Sequence, residues 1–147
     1  MADLFDRILM LRKSAMFGQV MTEDLRVVAQ ELVEDMYFAG DRVFDIHEQG
    51  DHMFIVESGK IGISFDANHV AEDFVATLGP GECFGEMNVF DDLPRSATAH
   101  VLEDAKLLSL EKSKLRGLIL RYPELSLGLL RGLSMRLRST NLAVNRK

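Results

Sequence analysis

The chain has 147 residues, 47% of them apolar, and a net charge of −6. Such a chain suits one domain with a sizeable core, which excludes a disordered chain, and its single cysteine, Cys83, excludes a disulfide framework and a cysteine-rich zinc site. No apolar run reaches the roughly 20 residues of a membrane span, and the start lacks the basic-then-apolar order of a secretory signal.

The charge is divided unevenly. Residues 1–111 hold 8 basic and 22 acidic side chains, whereas residues 112–147 hold 9 basic ones and only Glu124. An acidic body argues against broad nucleic-acid binding. The arginines of the tail are spread out, so Arg131, Arg136, Arg138, Arg146 and Lys147 are expected to complement the negative end of a C-terminal helix. A lone thiol fits a reducing cytoplasm.

In chain order, Leu4, Ile8 and Leu11 share one face of a helix over about 3–14. Thr22-Glu23-Asp24-Leu25 has the form of a helix start, with Thr22 as N-cap and acids in the first turn; Leu25, Val28, Ala29 and Leu32 continue it to about 34. The texture then changes to short apolar runs punctuated by Gly40, Gly50, Gly59, Gly79 and Gly81: "MYFAGD", "RVFDIHEQGD", "HMFIVESGK", "IGISFD", "FVATLGPGE", "ATAHVLED" and "AKLLSLEK". This rhythm predicts many short antiparallel strands, as in a sandwich, jelly roll or barrel. The Gly-Asp pairs at 40–41 and 50–51 read as hairpin turns, with glycine at positive φ. From Lys112 the period is helical again, with Leu115, Leu118, Ile119 and Tyr122 on one stripe. Pro123 ends that helix or opens the next, which carries Leu129, Leu130, Leu133 and Leu137 to about 142. Residues 1–147 thus read as one domain: helices over about 1–35, a β core over 36–111 and helices over 112–147.

The stretch "FGEMNVFDDLPRSAT", residues 84–98, carries the chemistry. "GEMNVF" suits one turn of helix, whose N-terminus offers unpaired N–H groups to an anion, with glycine permitting close backbone approach. Arg95 adds a planar fork of donors matched to phosphate oxygens. Glu86 beside a phosphate is repulsive unless the ligand also brings a hydroxyl. Carboxylate for hydroxyl and arginine for phosphate together describe a ribose phosphate, and the two side chains are expected to neutralise each other in an empty site. The plain alternative is a surface salt bridge. Met87, Val89 and Phe90 are expected to anchor the short helix, Cys83 to be a small buried residue, and Asp91 and Asp92 to be solvated. His47, His52, His69 and His100 lack metal-ligand spacing and are expected to be exposed.

On these residues the stretch resembles the phosphate-binding cassette of the cyclic-nucleotide-binding domain family: Phe84-Gly85-Glu86, an apolar run, a short link, then Pro94-Arg95-Ser96-Ala97-Thr98. The upstream "FAGDRVFDIHEQGDHMFIVESGKIGI" and the downstream "LLRGLSMRLR" are similar as well, so the resemblance covers about 17–140. It implies an eight-stranded antiparallel jelly-roll barrel with N-terminal helices and C-terminal hinge or lid helices. It implies cyclic AMP or cyclic GMP as ligand, no further cofactor, no catalysis and no metal. Glu86 would accept the ribose 2′-hydroxyl and Arg95 would pair with the cyclic phosphate. The N–H groups of Asn88 and Ser96 would complete the cradle, Gly85 would admit the ligand, and Met87 and Ala97 would flank it. The Ser96 hydroxyl would reach the phosphate or a guanine amine. Asn88 departs from the family's usual alanine or small residue, so its side chain is expected to crowd or remodel the cradle. A lid residue is sought over 127–140, with Arg131 and Leu133 as candidates. On the family's logic the ligand draws the cassette inward and the 112–142 helices re-dock.

Two other classes stay open. One is an interaction or dimerisation module with a degenerate pocket, working through Leu129–Leu137. The other is a cupin-type barrel enzyme, which needs a histidine-rich metal site that the sequence lacks. No helix-turn-helix follows the lid helix before Lys147, so a complete transcription regulator is not expected, and the module is read either as acting alone or as part of a larger protein.

Overall fold

A computed structural model describes residues 3–65 and 74–145. They fall into two compact units, one formed by the N-terminal residues to Glu31 with Arg116 onward, the other by Leu32–Leu115.

The first unit is helical. Helix α1 (Leu4–Lys13) starts as its sequence demands: the Asp3 carboxylate accepts from Asp6 N, and the Asp6 carboxylate reaches back to Asp3 N, a reciprocal capping box. Helix α2 (Thr22–Glu31) corrects one expectation, because Thr22 is its first helical residue and not its cap. The Thr22 hydroxyl is taken by Arg12 Nη2 at 3.0 Å, and the Arg12 Nη1 donates to the carbonyls of Gly18 and Val20. Near the other end, α3 (Lys112–Arg121) stops before Pro123, and Pro123 opens α4 (Pro123–Asn145), where its missing N–H costs nothing. Among the described residues the last turn of α4 holds no basic side chain: Arg131, Arg136 and Arg138 are exposed mid-helix and do not complement its end, while Arg146 and Lys147 lie outside the described residues. Leu125 and Leu129 are buried, whereas Leu130, Leu133 and Leu137 are exposed. Among the described residues no helix is long and apolar enough to cross a membrane.

The second unit is an antiparallel sheet of six strands among the described residues: β1 (Val33–Tyr37), β2 (Arg42–Phe44), β3 (His52–Ser64), β4 (Ala76–Leu78), β5 (Cys83–Phe84) and β6 (Thr98–Glu111). The order is β1-β6-β3-β4, with β2 also on β6 and β5 also on β3. Among the described residues the path does not close, so what the structure supports of the expected eight-stranded barrel is an antiparallel sheet, with helices before and after it in the chain. The reason lies in β3 and β6. The sequence divides each into two strands, at Gly59 and at Glu103-Asp104, but each runs through as one strand of 13 or 14 residues. The register between them shifts from Val56 to Ile61, so Gly59 sits in a bulge and not in a hairpin. A side chain there would lie 2.4 Å from the Asp104 carbonyl.

The sheet's core gathers Phe54, Val56, Ile61, Phe84, Ala99, Val101 and Leu107. Burying a valine, leucine, isoleucine or phenylalanine side chain contributes roughly 1.5–3 kcal/mol. Phe54 and Phe84 stack with centroids 5.2 Å apart, and Phe44 lies tilted against both, at 6.1 and 5.9 Å. The rest of the 84–98 stretch follows directly on one member of this trio, Phe84.

Candidate functional site

After β5 the chain makes one 3₁₀ turn, Glu86–Val89. Gly85 stands before it in the left-handed region, φ 73° and ψ 9°. A left-handed residue followed by right-handed ones makes successive N–H groups converge, a concavity suited to an anion. Val89 is buried and anchors the turn. Met87 is 65% exposed and Phe90 also lies open, so those two do not anchor it. The chain returns through Leu93 and Pro94 to Arg95, just before β6.

Arg95 is only 5% exposed. Its guanidinium lies 3.9 Å above the Phe44 ring, a cation–π contact. Nη2 donates to the His52 carbonyl at 2.9 Å, while Nη1 donates to Asn88 Oδ1 at 3.2 Å and to the Gly85 carbonyl at 3.3 Å. Nε is buried and has no acceptor among the described residues. The backbone is held as firmly: Arg95 N donates to the Glu48 carbonyl at 2.7 Å, and His47 N donates to the Arg95 carbonyl at 2.9 Å. Burial lowers the guanidinium's pKa, and the charges of Asp51 and Glu48 oppose that shift. The expected neutralisation by Glu86 is therefore corrected. The acceptors on Arg95 are neutral, and the carboxylates whose field it feels lie on the 45–51 segment.

All seven expected site residues, Gly85–Asn88 and Arg95–Ala97, line one cavity of about 220 Å³, with Phe44, Ile63, Leu78 and Phe84 among its apolar walls. Glu86 and Ala97 are half-buried and Ser96 is exposed. Asn88 is 5% exposed, and its side chain turns toward Leu93 and Arg95. Cys83 is half-buried on the cavity wall and not part of a sealed core. Asp92 is exposed as expected and also pairs with the Lys112 ammonium, which donates to the Asp91 carbonyl as well; Asp91 itself is half-buried. Two histidines are half-buried: His52, whose Nδ1 meets Asp51 at 2.7 Å, and His100, whose Nε2 meets Ser64 at 3.1 Å. His47 is exposed, and His69 lies outside the described residues.

Sequence reasoning missed Phe44, Gly50 and the His52 carbonyl. Gly50 has no positive φ. A side chain there would fall 2.0 Å from Arg95 Nε, so its glycine makes room for the guanidinium. At Gly85 a side chain would fall 2.7 Å from Arg95 Nη1, so the group that closes on Gly85 is Arg95 itself. No local signal marks Gly50, because the residue that needs the space is far along the chain.

Known proteins resemble this chain along most of its length. A family model for the cyclic nucleotide-binding domain matches residues 34–122. A CRP-like cAMP-activated global transcriptional regulator of Mycobacterium tuberculosis is 33% identical over 131 residues, covering 89% of this chain and 58% of the relative. A cAMP-dependent protein kinase regulatory subunit of Debaryomyces hansenii is 30% identical over 113 residues, covering 74% of this chain and 24% of the relative. The crystal structure of the N-terminal domain of a transcriptional regulator from Streptomyces coelicolor A3(2) superposes with a TM-score of 0.79 at 32% identity, covering 91% of this chain and 93% of that one. The chain belongs to the cyclic nucleotide-binding domain family. It spans 58% of the length of the mycobacterial regulator, and a transcriptional regulator among its relatives leaves the expectation of no direct nucleic-acid binding without support.

Proposed function

We propose that this chain is a regulatory module, and not an enzyme, that binds a cyclic nucleotide in the 84–98 cassette, cyclic AMP before cyclic GMP. One observation carries the reading. A buried arginine with neutral acceptors and a buried Nε–H lacking one among the described residues lines a cavity beside a glycine nest. A cation desolvated in this way is stabilised by an anion arriving in the cavity. Arg95 and the N–H groups of Asn88 and Ser96 take the cyclic phosphate, Glu86 takes the ribose 2′-hydroxyl, and Met87 and Ala97 flank it. The preference for cyclic AMP draws on the mycobacterial and fungal relatives, whose names carry that nucleotide.

Lys112 supports coupling to the C-terminal helices. It is the first residue of α3; its N–H donates to the Asp51 carbonyl at 2.7 Å and its ammonium holds Asp91 and Asp92. A cassette drawn toward phosphate pulls on the start of α3, and the following helices then repack, with a lid residue from α4 over the base. The effector is an attached domain or a second copy, in a cytoplasmic setting. Calorimetry on ligand-stripped protein tests this, with 5′-AMP as control. Arg95→Ala should weaken cyclic AMP binding by about 2–5 kcal/mol. Unchanged affinity in that variant rejects the socket.

A second reading, a nucleotide-independent dimerisation module, is favoured by one observation: Leu130, Leu133 and Leu137 are exposed at i, i+3 and i+7 along α4. It expects concentration-dependent sedimentation without nucleotide, abolished by Leu137→Glu.

A further inference from the structure

The Asn88 amide uses both ends inside the cassette. Nδ2 donates to the Leu93 carbonyl at 2.6 Å, and Oδ1 accepts from Arg95 Nη1 at 3.2 Å. The chemistry fixes this orientation, since a carbonyl needs an N–H and a guanidinium needs an oxygen. Asn88 lies on the outgoing 3₁₀ turn, and Leu93 and Arg95 lie on the returning limb. One buried side chain therefore ties the two limbs together. The Leu93 side chain itself is 66% exposed, so it is the backbone of that limb that is held.

The second feature is electrical. The acceptors on Arg95 are the carbonyls of Gly85 and His52 and the Asn88 amide, all neutral. An amide orients a guanidinium without neutralising it. An aspartate of the same shape would orient it as well but would ion-pair with it, leaving less charge for an incoming anion.

We propose that Asn88 is a positioning residue for phosphate recognition: its amide holds the Arg95 guanidinium in the cavity and leaves that charge for the anionic ligand. This rests on the cyclic-nucleotide reading above. Far from blocking the cradle, the larger side chain takes over part of its construction. Arginine has many rotamers, and ordering it before the ligand arrives removes that cost from binding.

The test uses the whole chain, with calorimetric titration by cyclic AMP and ¹⁵N resonances of the Arg95 side chain recorded without nucleotide. Asn88→Ala should bind about tenfold more weakly, the size of one hydrogen bond to a charged group. Its Arg95 Nη signals should broaden as the guanidinium is freed. Asn88→Asp, the isosteric variant that covers a failure of the alanine form to fold, should lose about 100-fold at neutral pH, since it pairs with Arg95 and repels phosphate. Its deficit relative to the unmodified chain should narrow as pH falls through the carboxyl's titration, where the acid again both donates and accepts. Glu48, Asp51, His52 and Glu86 face the same guanidinium or cavity in both chains, so the ratio of the two affinities is the readout. A folded Asn88→Ala that binds like the unmodified chain overturns the proposal, as does full affinity in Asn88→Asp at neutral pH. If the unmodified, folded chain binds no cyclic nucleotide, the functional reading fails. The Arg95 signals then decide the tie alone, and their identity in both chains overturns it.

Discussion

Two Gly-Asp pairs lie ten residues apart, and the same dipeptide does opposite work in each. At 40–41 the glycine adopts φ +94° and a side chain there would meet nothing within 4 Å. The Asp41 carboxylate accepts from Phe38 N at 2.8 Å, and Asp41 N closes the turn onto the Phe38 carbonyl. At 50–51 the backbone is ordinary, and the glycine is small because Arg95 lies against it. The Asp51 carbonyl receives the N–H of Lys112, and its carboxylate meets His52 and acts on Arg95 through space. Gly40 is a glycine for its dihedral angles; Gly50 is a glycine for its volume. The first serves the fold and the second serves the site.

Alanine at each position should separate the two roles. The largest effect is expected for Gly50→Ala. Its Cβ displaces the Arg95 guanidinium, and cyclic AMP affinity should fall about 100-fold, the consequence of a misplaced charged contact. Calorimetry that finds it unimpaired would erase the contrast. Gly40→Ala should be smaller and of another kind. A left-handed non-glycine residue costs about 1–2 kcal/mol, read from the urea midpoint, with nucleotide affinity unchanged. The smallest effect concerns the aspartates. Asp51→Asn removes a negative charge near Arg95 and should raise affinity about two- to threefold at low salt, fading as salt screens the site. Asp41→Asn should leave affinity alone at any salt. Equal responses from the two aspartates would show that the 50–51 pair is no closer to the site than the 40–41 pair.

The cassette was legible because its residues sit at fixed offsets within one short stretch. Gly85–Asn88 and Arg95–Ala97 do line one cavity. The helices were legible because their pattern is local: Asp3 caps α1 from three residues away, and Pro123 opens α4. The strands were less so. Whether Gly59 ends a strand or bulges one depends on the strand opposite, and the residues facing it there, Glu103–Lys106, lie more than forty residues further on. The neutral surroundings of Arg95 were also hidden. Glu86 is close in sequence and invites an ion pair, but the guanidinium is held by Asn88 and by the 47–52 segment.

By itself the sequence determined the family pattern, the helical segments and the placing of a carboxylate and an arginine in one short loop, since these rest on spacing and on short-range hydrogen bonding. Only the tertiary structure decided that β3 and β6 run unbroken, that Gly50 yields its volume to Arg95, and that Asn88 reaches across the cassette. Each of these depends on atoms brought together from distant parts of the chain, where packing space and unpaired donors, and not local propensity, set the outcome.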